Sequence, residues 1–444
     1  MLATFLKAFT ASLDAHTAYF TPSEAKQFMI QVQQRLFGIG AQLRDDLNGL
    51  TIVRFLDGSP ALDLLNLGDR IVAVNNEPIV GLDIVDAVDL IRGPQGTSVI
   101  LTILREGEKH EISIVRDEIV LKESRFDKAI EPFGDGVIAH LSLYSFYQDP
   151  AASSASDLRQ AIEEIRHQHK LKGVILDIRN NGGGLLNQAV AVTGLFIKKG
   201  IVASVKDHTG KVHHLRNFDG DVAWDGPLFV LINKTSASSS EIVGQALQDY
   251  GRALVIGDDH SFGKGTYQSF TIESAHENGV SPQGEYKVTR GLYYTVSGKS
   301  PQLHGVKSDL VVPGLFSGTD IGESIAKFPL EPDTINPNFE DTLSDIHPLH
   351  RFKMKRLYQN NLQEPLQIYD PYIERLKENS TLRIEKNLHY QHFLELIKND
   401  EKIGEVADLF KKSDLQLDEA KNIMKDLIFL RQATASPAPY KEAS

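Results

Sequence analysis

The 444-residue sequence contains no cysteine. Disulfides, thiolate nucleophiles and cysteine-ligated metals are thereby excluded, whereas the compartment stays open, because a chain without thiols suits either redox setting. No stretch approaches the ~18–20 consecutive apolar residues of a membrane-spanning helix, so no transmembrane segment is expected. Basic charge is in deficit: 47 Lys and Arg stand against 59 Asp and Glu, a formal charge of −12. Nucleic acid is not an expected partner, since that role favours a basic footprint. The zinc-peptidase pattern HExxH is missing. The phosphate-loop pattern fails twice, because five residues rather than four separate Gly257 from Gly263, and Lys264 is followed by Gly265. The dinucleotide pattern fails at Gly182–Gly184. His208, His213 and His214 flank an expected hairpin and read as solvated turn residues. No metal or cofactor is expected. The start, MLATFLKAFTASLDAHTAYF, has no basic leader, long apolar stretch or cleavage site, and reads as an amphipathic helix rather than an export signal.

What is present is a globular composition, 41% hydrophobic and 24% charged. At roughly 100–200 residues per domain the length supports several domains. The pattern divides as follows. Residues 1–35 form an N-terminal helical segment, with a helix over 23–36 and Ser23 as its cap. Residues 36–122 form a compact module, with strands at 50–55, 71–74, 98–105 and 110–115, a short helix at 61–65 and a helix at 84–92. Residues 123–315 alternate strands (137–141, 173–178, 228–232, 254–256) with helices (151–167, 187–197, 241–250), which predicts crossover units and a mostly parallel sheet. Residues 316–444 read as helical over 342–364, 369–398 and 402–432, with ATASPAPYKEAS as a frayed tail.

The most informative stretch begins with the strand PLFVLIN, which leads into Thr235-Ser236-Ala237-Ser238-Ser239-Ser240-Glu241. Ser238 with Glu241 three residues on is a capping box, and on one reading Ser238 merely caps the helix. The same geometry also lifts a hydroxyl out of the sheet beside helix N-terminal amides that suit an oxyanion. Further on, Lys264 lies between Gly263 and Gly265, with Gln268 four residues later. Lys264 is either a solvated turn lysine or a general base, and the second role needs its pKa brought from about 10.4 toward 7–8 by desolvation. Asp177–Gly184 follows a buried-type strand with a glycine-rich turn, which is either a plain tight turn or an anion cradle.

In combination these residues resemble the carboxy-terminal processing peptidases, or tail-specific proteases. The resemblance is carried by Ser236–Glu241, Gln248–Ala253, Gly257, Phe262–Thr266, Leu176–Gly184, Tyr293–Thr295, Ser297-Gly298, Gly305–Lys307 and Asp309, and by the opening segment Ser12–Pro22. Gly58–Ala61 and Gly68–Ile71 make the module at 36–122 resemble a PDZ domain. The resemblance implies an α/β and α+β multidomain protein: a PDZ module ahead of a ClpP/crotonase-like α/β serine-peptidase core, with a helical C-terminal region. It implies a Ser-Lys dyad with Ser238 as nucleophile, Lys264 as base and Gln268 as orienting residue. The N–H groups of Gly183 (or Gly184) and Ser239 are implied as the oxyanion hole. In the module, Phe37-Gly38-Ile39-Gly40 is placed to bind a terminal carboxylate, with Ile39 and Leu43 lining an apolar pocket. The implied partners are unfolded or tagged protein substrates with apolar C-termini, an adaptor or a second copy of the chain being possible, and the implied location is the bacterial periplasm. The loop Asp258-Asp259-His260-Ser261 is one residue longer than the family pattern and is expected to bulge. Two alternatives remain open at this point: a PDZ adaptor on a dead peptidase core, and a nucleotide-dependent enzyme.

Overall fold

The protein is described from a computed structural model, which covers residues 2–271, 280–398 and 413–435. These fall into two compact units: residues 2–19, 126–271 and those from 286 onward in one, and 20–125 with 280–285 in the other.

The first unit is built on a six-stranded sheet in the order Phe126–Phe133, Gly136–Leu143, Leu171–Asp177, Leu228–Ile232, Leu254–Gly257, Leu310–Val311. The first pair is an antiparallel hairpin and the remaining pairs are parallel. Crossover helices Ser154–Gln168, Leu186–Gly194 and Ser239–Asp249 separate the parallel strands, as the alternation of apolar runs predicts. Successive side chains of a strand point to opposite faces. Ala139, Leu141, Val174, Leu176, Val230 and Ile232 accordingly enter one core, where the crossover helices contribute Leu158, Ile162, Val192 and Val243. Ile138, Ile175, Phe229, Leu231 and Ile256 enter a second core on the other face. That second face is covered by the C-terminal helices, through Leu376, Tyr390, Phe393, Ile423, Met424 and Leu427. Without them the alternate residues of the sheet would face water. A second, antiparallel sheet pairs Gly200–Asp207 with Val212–Asn217 and with Glu285–Thr295, and Glu285–Thr295 also pairs with Thr266–Phe270.

The second unit is an antiparallel sheet (Ala41–Asp46, Gly49–Phe55, Arg70–Val74, Ser98–Arg105, Glu108–Val115) with the helix Ile84–Ile91. Its core holds Ile39, Ile52, Ile71, Ala87, Val99, Leu101 and Ile114. Arg35–Gly38 forms a strand paired with Asp117–Val120.

Several local expectations are corrected. The helix expected over 23–36 is Pro22–Gln33, and its cap is Thr21, not Ser23: Thr21 and Glu24 form the reciprocal capping box, with Pro22 in the first turn. Gln34, at φ 53°, ends the helix in the left-handed region. The short helix expected at 61–65 is a single turn, closed by Leu65 N–H to Ala61 O (2.9 Å). The helix expected over 151–167 starts at Ser154, because Asp149 takes the N–H groups of Ala151 and Ala152 into a turn. Within 342–364 only Pro348–Tyr358 is helical, since Leu343 and Asn361 have positive φ and Pro348 sets the start. The stretch 369–398 is broken at Asn387, whose side chain caps a second helix, Leu388–Ile397. The last helix is Leu415–Ala435, so residues 433–435 of the expected tail are helical. Residues 399–412 and 436–444 lie outside the described residues.

The strand Leu171–Asp177 carries Gly173 where the last helix crosses it, and a Cβ built there lies 2.6 Å from Met424 Sδ. Gly173→Val is expected to overpack this layer and cost about 1–3 kcal/mol. Equilibrium denaturant unfolding measures the loss, and Met424→Ala in the same chain should return part of it.

Candidate active site

The turns after the two central parallel strands meet at the C-terminal edge of the sheet. After Leu228–Ile232 the chain makes the turn 233–238 and enters the helix Ser239–Asp249. Ser236, Ser239 and Ser240 are buried, and each hydroxyl donates to a carbonyl of the neighbouring turn: Ile178 O (2.8 Å), Gly184 O (3.1 Å) and Asn181 O (2.8 Å) respectively. Asn233 and Asn180 add a further stitch, Nδ2 to Oδ1 at 2.8 Å. Ser238 alone among these serines is partly exposed. Its backbone is strained, with φ 57° and ψ −112°, a conformation that disfavours any side chain. Gly183, at φ 105°, packs against it so closely that a Cβ there would lie 2.8 Å from Ser238 Cβ. The sequence Ser-Ala-Ser-Ser-Ser-Glu thus has three serines that fasten the turn and one that the turn presents.

Lys264 arrives from a different element. It precedes the strand Thr266–Phe270, and its amine donates to Thr266 O (2.8 Å) and Gln268 Oε1 (2.9 Å). Desolvation lowers its pKa to about 8, and the nearby Lys287 pushes the same way, while Glu323, Glu241 and Asp14 oppose them. The loop before Lys264 is fastened at three points: Ser261 N–H bonds Val306 O (3.0 Å), Ser308 N–H bonds Asp259 O (3.2 Å) and Phe262 N–H bonds Ser236 O (3.0 Å).

Among the described residues no hydrogen bond joins Ser238 Oγ directly to Lys264 Nζ. Two buried side chains that sequence reasoning did not assign hold the backbones of these residues together. The Glu241 carboxylate accepts from Ser238 N–H (2.8 Å), Lys264 N–H (2.9 Å), Gly263 N–H (2.6 Å) and Ser261 Oγ (2.6 Å). Burial pushes its pKa up to about 7, against the pull of those four donors. The Tyr293 hydroxyl bridges Ser238 O (3.1 Å) and Lys264 O (2.5 Å). The capping-box spacing points to Glu241 only as a cap, and Tyr293 is visible in the sequence only as part of a motif.

Gly183 and Gly184 lie beside this turn. The N–H of Gly183 donates to Asn181 Oδ1 (2.9 Å), and Gly184 O receives the Ser239 hydroxyl. In the other unit, Gly40 (φ 71°) closes the turn that follows the strand Arg35–Gly38, with Leu56 N–H on its carbonyl (2.8 Å). Ile39 is a core residue there, and Leu43 is partly buried against the same core. Phe37 and Gly38 pair with Glu118 and Asp117. Of the three histidines expected as solvated turn residues only His208 is one: His213 and His214 are half-buried on the hairpin strand Val212–Asn217, where His214 Nδ1 bonds Ser204 Oγ (2.7 Å) across the pair. Among the described residues no cluster of acidic and histidine side chains forms a metal site.

Glu241→Gln would turn an amide NH2 toward backbone donors. Such a mismatch in a buried site is expected to cost about 1–3 kcal/mol. Thermal or chemical unfolding of the variant against the parent checks this, and equal stability would refute the clamp.

Residues 137–312 match peptidase family S41, and residues 52–105 match the PDZ domain. A carboxy-terminal-processing protease of Bartonella bacilliformis is 39% identical over 70% of this chain and 71% of its own length. A tail-specific protease of Haemophilus influenzae is 34% identical over 72% of this chain but only 46% of its own length, so the chain spans about half of that relative. The solved photosystem II D1 C-terminal processing protease covers 70% of this chain and 81% of its own, at 24% identity and a TM-score of 0.41. On these findings the chain belongs to peptidase family S41, the carboxy-terminal-processing peptidases, and carries a PDZ domain ahead of the peptidase core.

Proposed function

We propose that this protein is a serine-type endopeptidase that recognises protein substrates by an apolar C-terminal tail and cleaves them with a Ser238–Lys264 dyad. The observation that carries the reading is the bonding of the lysine amine. A neutral amine has two N–H donors and one lone pair. The acceptors Thr266 O and Gln268 Oε1 take the two donors. The lone pair is then left to receive a proton, which is the requirement for a base. A pKa near 8 keeps a useful fraction of the amine neutral around physiological pH.

As Ser238 Oγ attacks the scissile carbonyl carbon, its proton passes to Lys264 Nζ. The carbonyl oxygen becomes an oxyanion, for which Ser239 N–H and Gly184 N–H are the proposed donors. Gly183 serves as donor only by exchanging Asn181 Oδ1 for the substrate oxygen. The lysine ammonium then gives its proton to the leaving amine, an acyl-enzyme remains, and water releases it by the same route in reverse. No metal or cofactor enters these steps. In the PDZ domain the loop Phe37-Gly38-Ile39-Gly40 presents amides to the tail carboxylate, and Ile39 and Leu43 meet its last apolar side chain. Family resemblance favours the bacterial periplasm, and no helix among the described residues is long and apolar enough to cross a membrane. The alternative of a dead adaptor requires the longer loop to displace Lys264; the Gly263 and Lys264 amides on Glu241 argue against it.

The test uses the full chain and an unfolded substrate with an apolar C-terminus. Ser238→Ala and Lys264→Ala are expected to abolish cleavage, and the first variant keeps its fold, because the Ser238 N–H to Glu241 does not depend on the side chain. Tail-peptide binding without cleavage by the parent protein would instead establish the adaptor.

Lys264 must be neutral to act, and its pKa lies at about 8. kcat/KM should therefore rise with pH and reach half its plateau near that value. A profile that falls over the same range, with the protein folded, would overturn the base assignment.

A further inference from the structure

Gln268 orients the lysine only if it presents its carbonyl oxygen and not its NH2. Its Nε2 donates to Thr266 Oγ1 (2.9 Å) and to Thr289 Oγ1 (3.3 Å). A threonine hydroxyl has one proton, and that of Thr289 goes to Asp14 Oδ1 (2.8 Å). An ionised carboxylate only accepts. Asp14 is held ionised: burial works against it, but hydrogen bonds from Thr17 Oγ1, His16 N–H (2.8 Å), Thr289 Oγ1 and Thr17 N–H (2.9 Å) bring its pKa below the ordinary value. The direction of every bond then follows. Thr289 gives its proton to Asp14, offers a lone pair to Gln268, and so fixes Gln268 with Oε1 toward Lys264 Nζ. Thr289 is itself held in place by its N–H on Thr17 Oγ1 (3.1 Å).

The same segment reaches the base loop by a second path. His16 Nε2 bonds both oxygens of Glu323 (2.8 Å each). Glu323 is fully buried and accepts from Gln302 Nε2 (3.3 Å), and Gln302 Oε1 accepts from the N–H of Gly265, the residue after Lys264 (2.7 Å). Two hydrogen-bond relays thus run from residues 14–17, one to the amine of Lys264 and one to the main chain just after it, across more than 240 positions of sequence.

We propose that Asp14, acting through Thr289, is a positioning residue of the catalytic base, and that the segment 14–17 completes the peptidase site rather than merely packing against it. The inference rests on the assignment of Lys264 as base and Gln268 as its orienting partner. The charged groups facing the amine are Lys287 from the strand Glu285–Thr295, Glu323, Glu241 from the helix Ser239–Asp249, and Asp14. Removing Asp14's charge, or the acceptor that Gln268 offers, favours the neutral amine.

The experiment measures kcat and kcat/KM against pH for the full chain carrying Thr289→Val, Thr289→Ser, Asp14→Asn or Gln268→Ala, and for the Thr289→Val, Gln268→Ala double variant. Thr289→Val is expected to lower kcat by about tenfold, the order that loss of one buried hydrogen bond gives. It should also move the acid limb to lower pH, and Thr289→Ser, which keeps the hydroxyl, should restore both. Asp14→Asn should move the limb in the same direction. In the Gln268→Ala background Thr289→Val should add less than about twofold, because both act through one amide. A merely structural role would lower the plateau without moving the limb, and would multiply the Gln268→Ala loss; either result overturns the proposal. Lys264→Ala and Ser238→Ala run alongside separate the two levels: turnover by either removes the dyad itself. Their inactivity together with an unmoved limb in Asp14→Asn removes only the role of the 14–17 segment.

Discussion

The peptidase unit depends on one buried carboxylate. Glu241 sits in the first turn of the helix that begins after Ser238, and its two oxygens receive four donors, two from backbone or side chain on each. Burying a charge is costly unless its hydrogen-bonding capacity is filled, and here it is filled by groups from two separate loops. Burial alone shifts the acid toward neutrality; protonation, however, would forfeit one of four well-placed donors. The carboxylate therefore works as a joint. It holds Ser238 in a positive-φ conformation that the residue would not adopt alone, and it fixes the main chain at Gly263 and Lys264 to the same point.

This joint connects two kinds of sheet. The parallel sheet supplies the turns after Leu171–Asp177 and Leu228–Ile232, which lie side by side because those strands pair directly. The C-terminal edge of such a sheet is where turns can converge on a ligand. The antiparallel sheet supplies Gln268, Thr289 and Tyr293 from two paired strands, and Lys264 lies in the loop that leads into the first of them. The C-terminal helices brace the arrangement from behind. Arg179, next to the glycine turn, bonds both Asp177 and Asp414 (2.7 Å each), and Gln416 bonds Asp258 at the start of the lysine loop (3.0 Å). Burial disfavours the charge on Arg179, but those two carboxylates raise its pKa further. The helical region is thus part of the core, both as the cover of one sheet face and as a support for the two loops.

What is legible in the sequence is local. The strand Leu228–Ile232 and the helix after Ser238 follow from an apolar run and a capping-box spacing, and both signals lie within a dozen residues. Glycines beside Lys264 and at 182–184 mark turns for the same reason. Even local signals can compete: Thr21-Pro22-Ser23-Glu24 contains the same capping-box pattern as Ser238–Glu241, yet Ser23 is by residue type as good a cap, and only the spacing to Glu24 favours Thr21. The supports are illegible for a different reason. Asp14 and Thr289 are 275 positions apart, His16 and Glu323 are 307 apart, and periodicity carries no information across such distances. The role of Tyr293 depends on which carbonyls its hydroxyl meets, which only the folded chain determines. Charged, leucine-containing stretches such as 342–364 look helical because composition does not report the positive-φ residues and proline that bound the actual helix.

The lysine illustrates why a polar active site needs so much of the fold. Bringing an amine from 10.5 to about 8 corresponds to roughly 3–4 kcal/mol of lost preference for the charged form. Desolvation and Lys287 supply it, while Glu323, Glu241 and Asp14 pull back. Each of those three acids also has a geometric role. Glu241 joins the loops, Glu323 holds Gln302, and Asp14 sets the direction of the Thr289 bond. A drier site without them would lower the pKa further, but the amine would then bind its proton too weakly to collect it from serine. With them, in the proposed dyad, the lysine would take the serine proton in one step and return it to the leaving amine in the next. The balance of burial against three acidic groups is therefore the property that would let a single lysine serve as both base and acid in the proposed mechanism.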